Sequence, residues 1–436
     1  MSESCALPFV IGPVDAVVSV PGSKSITNRA LPIAALASGE TDIRGALFSD
    51  DSRHFVESLG RLGYRVTQDQ ATGHIGLTGQ GLEPLLEERE VDLFVGNSGT
   101  TARFITAMVA LGRGMYHIDG VARMRQRPIG DLLSALRGLG SQIEDIEQTG
   151  CPPIRVTGRG LRGGAVTVRG QDSSQFLTAL LLAAPYADGS VRIDVEGKLV
   201  SRPYVEMTVS MMAQFGVHVE TDSNRFIVQP GRYQGRVYDV EPDASGATYF
   251  LALAAAQGGR VTVRGLHLTS LQGDAQFVHV LEQMGCVVET GAQGLSVLGP
   301  PDGVLHGCVV DLFDMSDTMP TLAALAPLAA EPVHIRNVAN VRVKETDRIA
   351  ACVQELRRFG VTVDEHPDGL TVYPCQYLAQ NVRVQTYEDH RIAMAFSILG
   401  LRAQGAVISD PGCVNKTFPD FFERLGEALH RPLSKW

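Results

Sequence analysis

Six glycines punctuate this 436-residue chain: Gly63, Gly140, Gly216, Gly285, Gly360 and Gly426, at intervals of 77, 76, 69, 75 and 66 residues. Each closes a stretch with the same internal order. A polar cluster leads into an apolar helical run, expected at Arg29–Ser38, Arg103–Gly112, Gln175–Ala187, Tyr249–Gln257, Pro320–Ala330 and Ile392–Arg402. A short β-rich run, a second polar loop and a second helix follow, and the glycine supplies the left-handed turn after that helix. The first five turns lead into strand-like segments such as Tyr64–Thr67, Val217–Glu220, Cys286–Glu289 and Val361–Asp364. The pattern reads as six βαβαβ-type repeats, an α/β chain by class. Units of about 70 residues bury little alone and must pack on one another.

The length exceeds what one hydrophobic core supports, so two domains of three repeats each are expected. The polar stretch YDVEPD at residues 238–243 separates the third repeat from the fourth. The opening segment, to about Pro21, is expected to pair with the second half. The expected domains are therefore 22–242, and 1–21 together with 243–436. A net charge of −10 argues against nucleic acid and anionic membrane surfaces as partners. Apolar runs such as residues 177–185 and 322–330 fall far short of a membrane span. Seven scattered cysteines without a CxxC suit a reducing cytoplasm, as small buried hydrophobes.

The polar clusters carry the chemistry. In VPGSKSITNRAL, residues 20–31, a Pro-Gly loop runs into an apolar helix that Ser23 or Ser25 can cap. Lys24 and Arg29 add positive charge to a helix end that already bears partial positive charge, which outlines an anion site. A Walker loop is excluded, because Ser23 rather than Gly precedes Lys24. Only five of the 38 basic residues are lysine: Lys24, Lys198, Lys344, Lys416 and Lys435. A chain this biased to arginine keeps lysine where a compact ammonium is needed. Lys24, Lys344 and Lys416 lie in polar motifs. The other clusters are Asn97–Arg103 (NSGTTAR), Arg123–Pro128 (RMRQRP), Ser173-Ser174-Gln175, Asp317, Asn340–Arg348 (NVRVKETDR), Asp389-His390-Arg391 and Lys416–Asp420 (KTFPD). Each alone is compatible with an ordinary capped helix or solvated loop. Together they place equivalent helix starts, and their partial positive charges, on one face of each domain. Two such faces opposed across a hinge make a cleft for a polyanionic ligand.

The segments PGSKSITNRA, GNSGTTAR, RPIG, SSQFLTALL, RVKETDR, DHR and NKTFPDFF resemble, in order and over nearly the whole chain, those of the enolpyruvyl transferases. The likeness is to the shikimate-pathway branch of that family. It implies two inside-out α/β barrel domains closing on substrate. It also implies addition–elimination chemistry that joins phosphoenolpyruvate to the 5-hydroxyl of shikimate 3-phosphate and releases phosphate. By the same resemblance, Lys24 touches both substrates and Gln175 lies between them. Ser25, Arg29, Ser173, Ser174, Ser201, Tyr204, Asn340 and Lys344 hold shikimate 3-phosphate, together with Asp317. Gly99, Arg127, Arg348, Arg391 and Lys416 hold phosphoenolpyruvate. Asp317 is the proton acceptor for the hydroxyl and Glu345 the donor to the methylene, with Lys24 also in the catalytic set. No cofactor or metal is implied, and the protein is expected to be a cytoplasmic monomer acting on small anions.

The nearest rival is the UDP-N-acetylglucosamine enolpyruvyl transferase, which commonly carries a reactive cysteine before the RPIG-type segment. Residues 111–123, LGRGMYHIDGVAR, contain none. A DNA sliding clamp, another ring of repeats, is disfavoured by the acidic balance. One departure from the family pattern stands out: Phe104 follows Arg103 where many members have proline.

Overall fold

In the computed structural model, residues 4–171 and 173–433 are described; Lys435 lies outside them. The chain divides into two compact units, residues 22–240 and residues 1–21 with 241–436. Among the described residues twelve α-helices run in order: α1 (Lys24–Leu36), α2 (Asp50–Arg61), α3 (Gly99–Ala110), α4 (Gly130–Gly138), α5 (Ser174–Ala183), α6 (Arg202–Gln214), α7 (Ala244–Gln257), α8 (Phe277–Gln283), α9 (Met319–Leu325), α10 (Arg348–Arg358), α11 (His390–Gly400) and α12 (Phe421–Ala428). The odd-numbered ones are the expected first helices of the six repeats. Several begin about one turn earlier than the apolar pattern indicates, so the polar cluster is part of the first turn. Local capping explains this. Ser23 accepts from Ile26 N–H to start α1, and Ser98 caps α3 the same way through Thr101 N–H. Asp243 starts α7 by accepting from Gly246 N–H.

These first helices are the core. Every residue of α3, α7 and α11 is buried, and α7 (ASGATYFLALAAAQ) is rich in alanine, which lets neighbouring helices approach closely. The sheets lie outside them, with alternating burial such as that of Val191–Glu196. A fully buried Leu or Phe side chain contributes about 1.5–3 kcal/mol, so the helical centre dominates each unit's stability.

Five of the six sheets hold one more strand than the three that the sequence pattern suggests. In the second repeat, Glu90–Phe94 and Met115–Asp119 pair in parallel across α3. Ile154–Thr157 then returns antiparallel between Met115–Asp119 and Gln142–Asp145. The third strand of the repeat would otherwise have no partner. The arrangement recurs in five four-stranded sheets, and the sixth repeat has a three-stranded sheet.

Strands are exchanged along the chain. Val14–Val18 pairs in parallel with Gly259–Val263, and Ser4–Ala6 pairs antiparallel with Val407–Ser409. The opening segment thus joins strands of the second half. In return, Val237–Asp239 completes the sheet of the first repeat beside Asp42–Arg44.

Five marker glycines have positive φ: Gly63, Gly140, Gly216, Gly285 and Gly360, at +94°, +92°, +90°, +95° and +80°. The sixth expectation is corrected. Gly426 lies inside α12, and His430 takes the left-handed turn (φ +51°) after it. A Cβ at Gly426 would sit 2.9 Å from Arg431 O, so close packing is the reason for glycine there. The cysteine expectation is also adjusted. All seven are free, but Cys308, Cys375 and Cys413 are only partly buried. Among the described residues no helix is long and apolar enough to cross a membrane.

Candidate functional site

In the unit formed by residues 22–240, side chains tie the starts of the core helices together. Asn28 Nδ2 donates to Thr100 Oγ1 at 2.7 Å, joining α1 to α3. Thr178 on α5 meets Thr208 on α6 at 3.3 Å, and Thr208 Oγ1 accepts from Arg29 Nε of α1 at 2.8 Å. Lys24 opens α1, with Nζ 3.9 Å from Asp51 Oδ2. Ser173 caps α5 by accepting from Gln175 N–H at 3.2 Å, and Ser174 is buried beside it. Ser201 starts α6 from a left-handed backbone, φ +53°.

Arg29 is the unusual member. Its guanidinium is 1% exposed and donates to Thr208, Ser25 O and Tyr204 O. It lies 5.6 Å from the Phe104 ring centroid and 5.8 Å from that of Tyr204. Among the described residues no carboxylate pairs with it, and burial pulls its pKa down to about 10. It remains cationic at neutral pH, and a buried cation with only neutral partners can accept an anion. Phe104, the departure from the family pattern, stays inside an unbroken α3 and packs on this guanidinium.

Arg127 and Gly99 form a second feature. Arg127 Nη1 donates to Asn97 O at 2.9 Å, and Arg103 Nη2 holds the same loop through Pro128 O at 2.7 Å. A Cβ on Gly99 would stand 2.5 Å from Arg127 Nη2 and 2.9 Å from Arg103 Nη1. Gly99→Ala therefore displaces Arg127. The expected result is a KM for an anionic substrate raised about tenfold with the fold kept. Steady-state kinetics with a thermal melt check it, and an unchanged KM would separate Arg127 from ligand binding.

The other unit holds a denser cluster. Arg348, 1% exposed at the start of α10, engages three carboxylates: Nη1 reaches Asp317 Oδ1 at 3.0 Å, Nη2 reaches Glu345 Oε2 at 2.8 Å, and Nε reaches Asp389 Oδ2 at 2.8 Å. Desolvation lowers its pKa, but Asp389, Glu345 and Asp317 outweigh this and raise it. Arg391 on α11 donates to Asp317 Oδ2 at 2.7 Å. Lys416 Nζ lies 3.1 Å from Glu345 Oε1, and Lys344 Nζ lies 3.9 Å from Asp317 Oδ1. Asn340 Nδ2 donates to Ser316 Oγ at 2.9 Å, beside Asp317. Six of the seven candidates of this unit thus share one network, and Asn340 bonds the residue that precedes Asp317. Asp317 belongs to a 3-10 turn, Ser316–Thr318, and does not cap α9.

The network recruits residues that had no assigned role. Asp389 is fully buried, grips Arg348 and caps α11 by accepting from Arg391 N–H at 2.9 Å. Its place two residues before Arg391 was the available signal. Ser245 and Tyr249 approach Arg391 at 3.4 and 3.5 Å. Asp274 bonds Ser245 Oγ, and burial, then Asp317, raises its pKa from 3.8 to about 6. Ser245 stands in the polar helix start Asp243-Ala244-Ser245, but nothing local in the sequence gives Tyr249 or Asp274 a role.

Two units of packed α/β repeats, whose core helix starts gather guanidinium, ammonium and carboxylate groups, define a protein built to hold small polyanions and move protons beside them. The profile of the EPSP synthases (3-phosphoshikimate 1-carboxyvinyltransferases) matches residues 10–425. A 3-phosphoshikimate 1-carboxyvinyltransferase from Nostoc sp. is 49% identical over 425 residues, covering 97% of this chain and 99% of the relative. One from Burkholderia vietnamiensis is 45% identical, covering 94% and 95%. The solved EPSP synthase of Acinetobacter baumannii superposes with a TM-score of 0.82 at 25% identity, over 100% of both chains. The chain belongs to the EPSP synthase family. It is an enzyme of the carboxyvinyl transferase class.

Proposed function

We propose that this protein transfers the enolpyruvyl group of phosphoenolpyruvate to the 5-hydroxyl of shikimate 3-phosphate and releases phosphate, in aromatic amino-acid biosynthesis. Family membership and the names of the relatives support this reading over transfer to a UDP-sugar. The observation that carries the chemistry is the network around Arg348, where two acid–base candidates, Asp317 and Glu345, are held by four cations.

Phosphoenolpyruvate brings a carboxylate and a phosphate. These compete with Asp317 and Glu345 for Arg348, Arg391 and Lys416, through charge-assisted hydrogen bonds of about 1.5–3 kcal/mol each, while Lys344 and Asn340 serve shikimate 3-phosphate. With the cations engaged by substrate, the two carboxyl groups are released to exchange protons. Glu345 delivers a proton to the methylene carbon, leaving the adjacent carbon cationic. The 5-hydroxyl oxygen attacks that carbon while Asp317 takes its proton. The tetrahedral adduct then breaks its carbon–oxygen bond to phosphate, which leaves with the proton held by Asp317, and returns a methyl proton to Glu345, which restores the vinyl group and both carboxyl groups. Each proton transfer contributes about 10²–10⁴ in rate.

In the other unit, Arg29, Ser25, Ser173, Ser174, Ser201 and Tyr204 hold shikimate 3-phosphate. The buried, carboxylate-free charge of Arg29 supports this. Lys24 and Gln175 serve both substrates, and Gly99 and Arg127 serve phosphoenolpyruvate. The seven free cysteines support a reducing, cytoplasmic setting, and we read the protein as a monomer there.

Phosphate release from phosphoenolpyruvate, measured with and without shikimate 3-phosphate, tests the activity. Release is expected only with both, and release without the second substrate overturns the reading. Lys24→Arg keeps the charge but replaces a compact ammonium with a wide fork. Its kcat/KM is expected to fall about tenfold or more, and full activity would remove the point-charge role.

A further inference from the structure

Two successive non-glycine residues take left-handed backbone just before α11: Tyr387 and Glu388, both at φ +55°. Side chains with a Cβ are sterically disfavoured there, bulky ones most of all. Such conformations persist only where the surroundings over-determine them. The restraint comes from Glu355, whose side chain on α10 is fully buried. Its Oε1 accepts from Tyr387 Oη at 2.6 Å, and its Oε2 accepts from Gln385 N–H at 3.1 Å. Arg358 Nε, 3.1 Å from Oε1, balances the charge. Asp389 N–H closes the loop on Thr386 O at 2.9 Å.

Glu355 and Arg348 stand seven residues apart on α10, two turns along one face. The loop meets both. Tyr387 answers Glu355, and Asp389 answers Arg348 at 2.8 Å. Residues 385–389 are therefore laced along α10 at two points. One point grips Arg348 itself, and through the cap at Arg391 N–H it also starts α11. The other point, Tyr387 on Glu355, touches neither arginine and has no part in the chemistry assigned above. Burial of Glu355 raises its pKa, opposed by the Tyr387 and Gln385 hydrogen bonds.

We propose that Tyr387 and Glu355 are positioning residues: their bond locks residues 385–388 in the strained form and thereby sets the spacing of the Arg348 and Arg391 guanidiniums that receive phosphoenolpyruvate. This rests on the reading that those two arginines hold that substrate. Once the lock is lost, the loop relaxes toward ordinary backbone, Asp389 shifts, and the two forks no longer match one ligand. The effect falls on one substrate, because no residue assigned mainly to the other touches the loop.

The test compares Tyr387→Phe, Glu355→Gln and Arg391→Ala in the full chain, with KM for each substrate, kcat and a thermal melt. Tyr387→Phe is expected to raise KM for phosphoenolpyruvate about tenfold, leaving KM for shikimate 3-phosphate and kcat within about twofold. Glu355→Gln keeps one carbonyl acceptor of two, so a smaller rise, about threefold, is expected, and it serves if the tyrosine variant folds poorly. An unchanged KM for phosphoenolpyruvate in both variants overturns the lock, as does an equal rise for both substrates in step with lost melting temperature. Arg391→Ala separates the two claims. If it leaves that KM unchanged, the assignment of the arginines falls and the lock with it. If it raises KM while Tyr387→Phe and Glu355→Gln behave as wild type, only the lock falls.

Discussion

Glu345→Gln lowers kcat by about 10²-fold or more while the KM for phosphoenolpyruvate stays level or falls. The geometry sets this signature. Glu345 is held between Arg348 Nη2 at 2.8 Å and Lys416 Nζ at 3.1 Å, with its side chain almost fully buried. A glutamine fills the same space and keeps one oxygen for these donors. It has no proton to deliver to a carbon and cannot take one back. Removing one negative charge also leaves the surrounding cations with less internal competition, so the anionic substrate binds no worse. Steady-state kinetics for both substrates give the answer. A kcat near wild type would take Glu345 out of the chemistry, and a raised KM with normal kcat would make it a binding residue only.

Arg348→Met destabilises the protein by about 3–5 kcal/mol, the cost of stranding buried charges when their partner is removed. Three carboxylates converge on this one guanidinium, and Asp389 among them is fully buried. Methionine matches the volume of the aliphatic stem but offers no donor. Asp317 retains Arg391 and Lys344, and Glu345 retains Lys416. Asp389 keeps the backbone N–H of Arg391 and loses its guanidinium. The penalty therefore falls mainly on Asp389 and the start of α11. Urea unfolding followed by circular dichroism checks it, with a lower first midpoint and an unchanged slope expected. A wild-type midpoint would mean that the carboxylates find other partners. Activity falls in either case, so stability is the discriminating measurement.

Much of this was readable before any coordinates, and the reason is locality. Helix caps and left-handed turns are settled by residues three or four apart. Ser23 and the five glycines with positive φ therefore announced their elements directly. Gly426 misled because a glycine kept for close packing looks identical in sequence to one kept for its backbone freedom. The fourth strand of the five larger sheets was missed because these strands are short and their partners are chosen by the sheet.

The sequence by itself determined the sixfold repeat, the order of the motifs and the residue types at each core helix start. Those follow from short-range sterics, capping and hydrophobic period. Tertiary structure alone decided which charges meet. Asp317 and Arg391 lie 74 residues apart in the chain and 2.7 Å apart in space. Asp389 became the keystone of Arg348, Tyr387 was bent onto Glu355, and Arg29 was buried without a carboxylate. Electrostatics between distant residues depends on how helices pack, and packing is a property of the whole core.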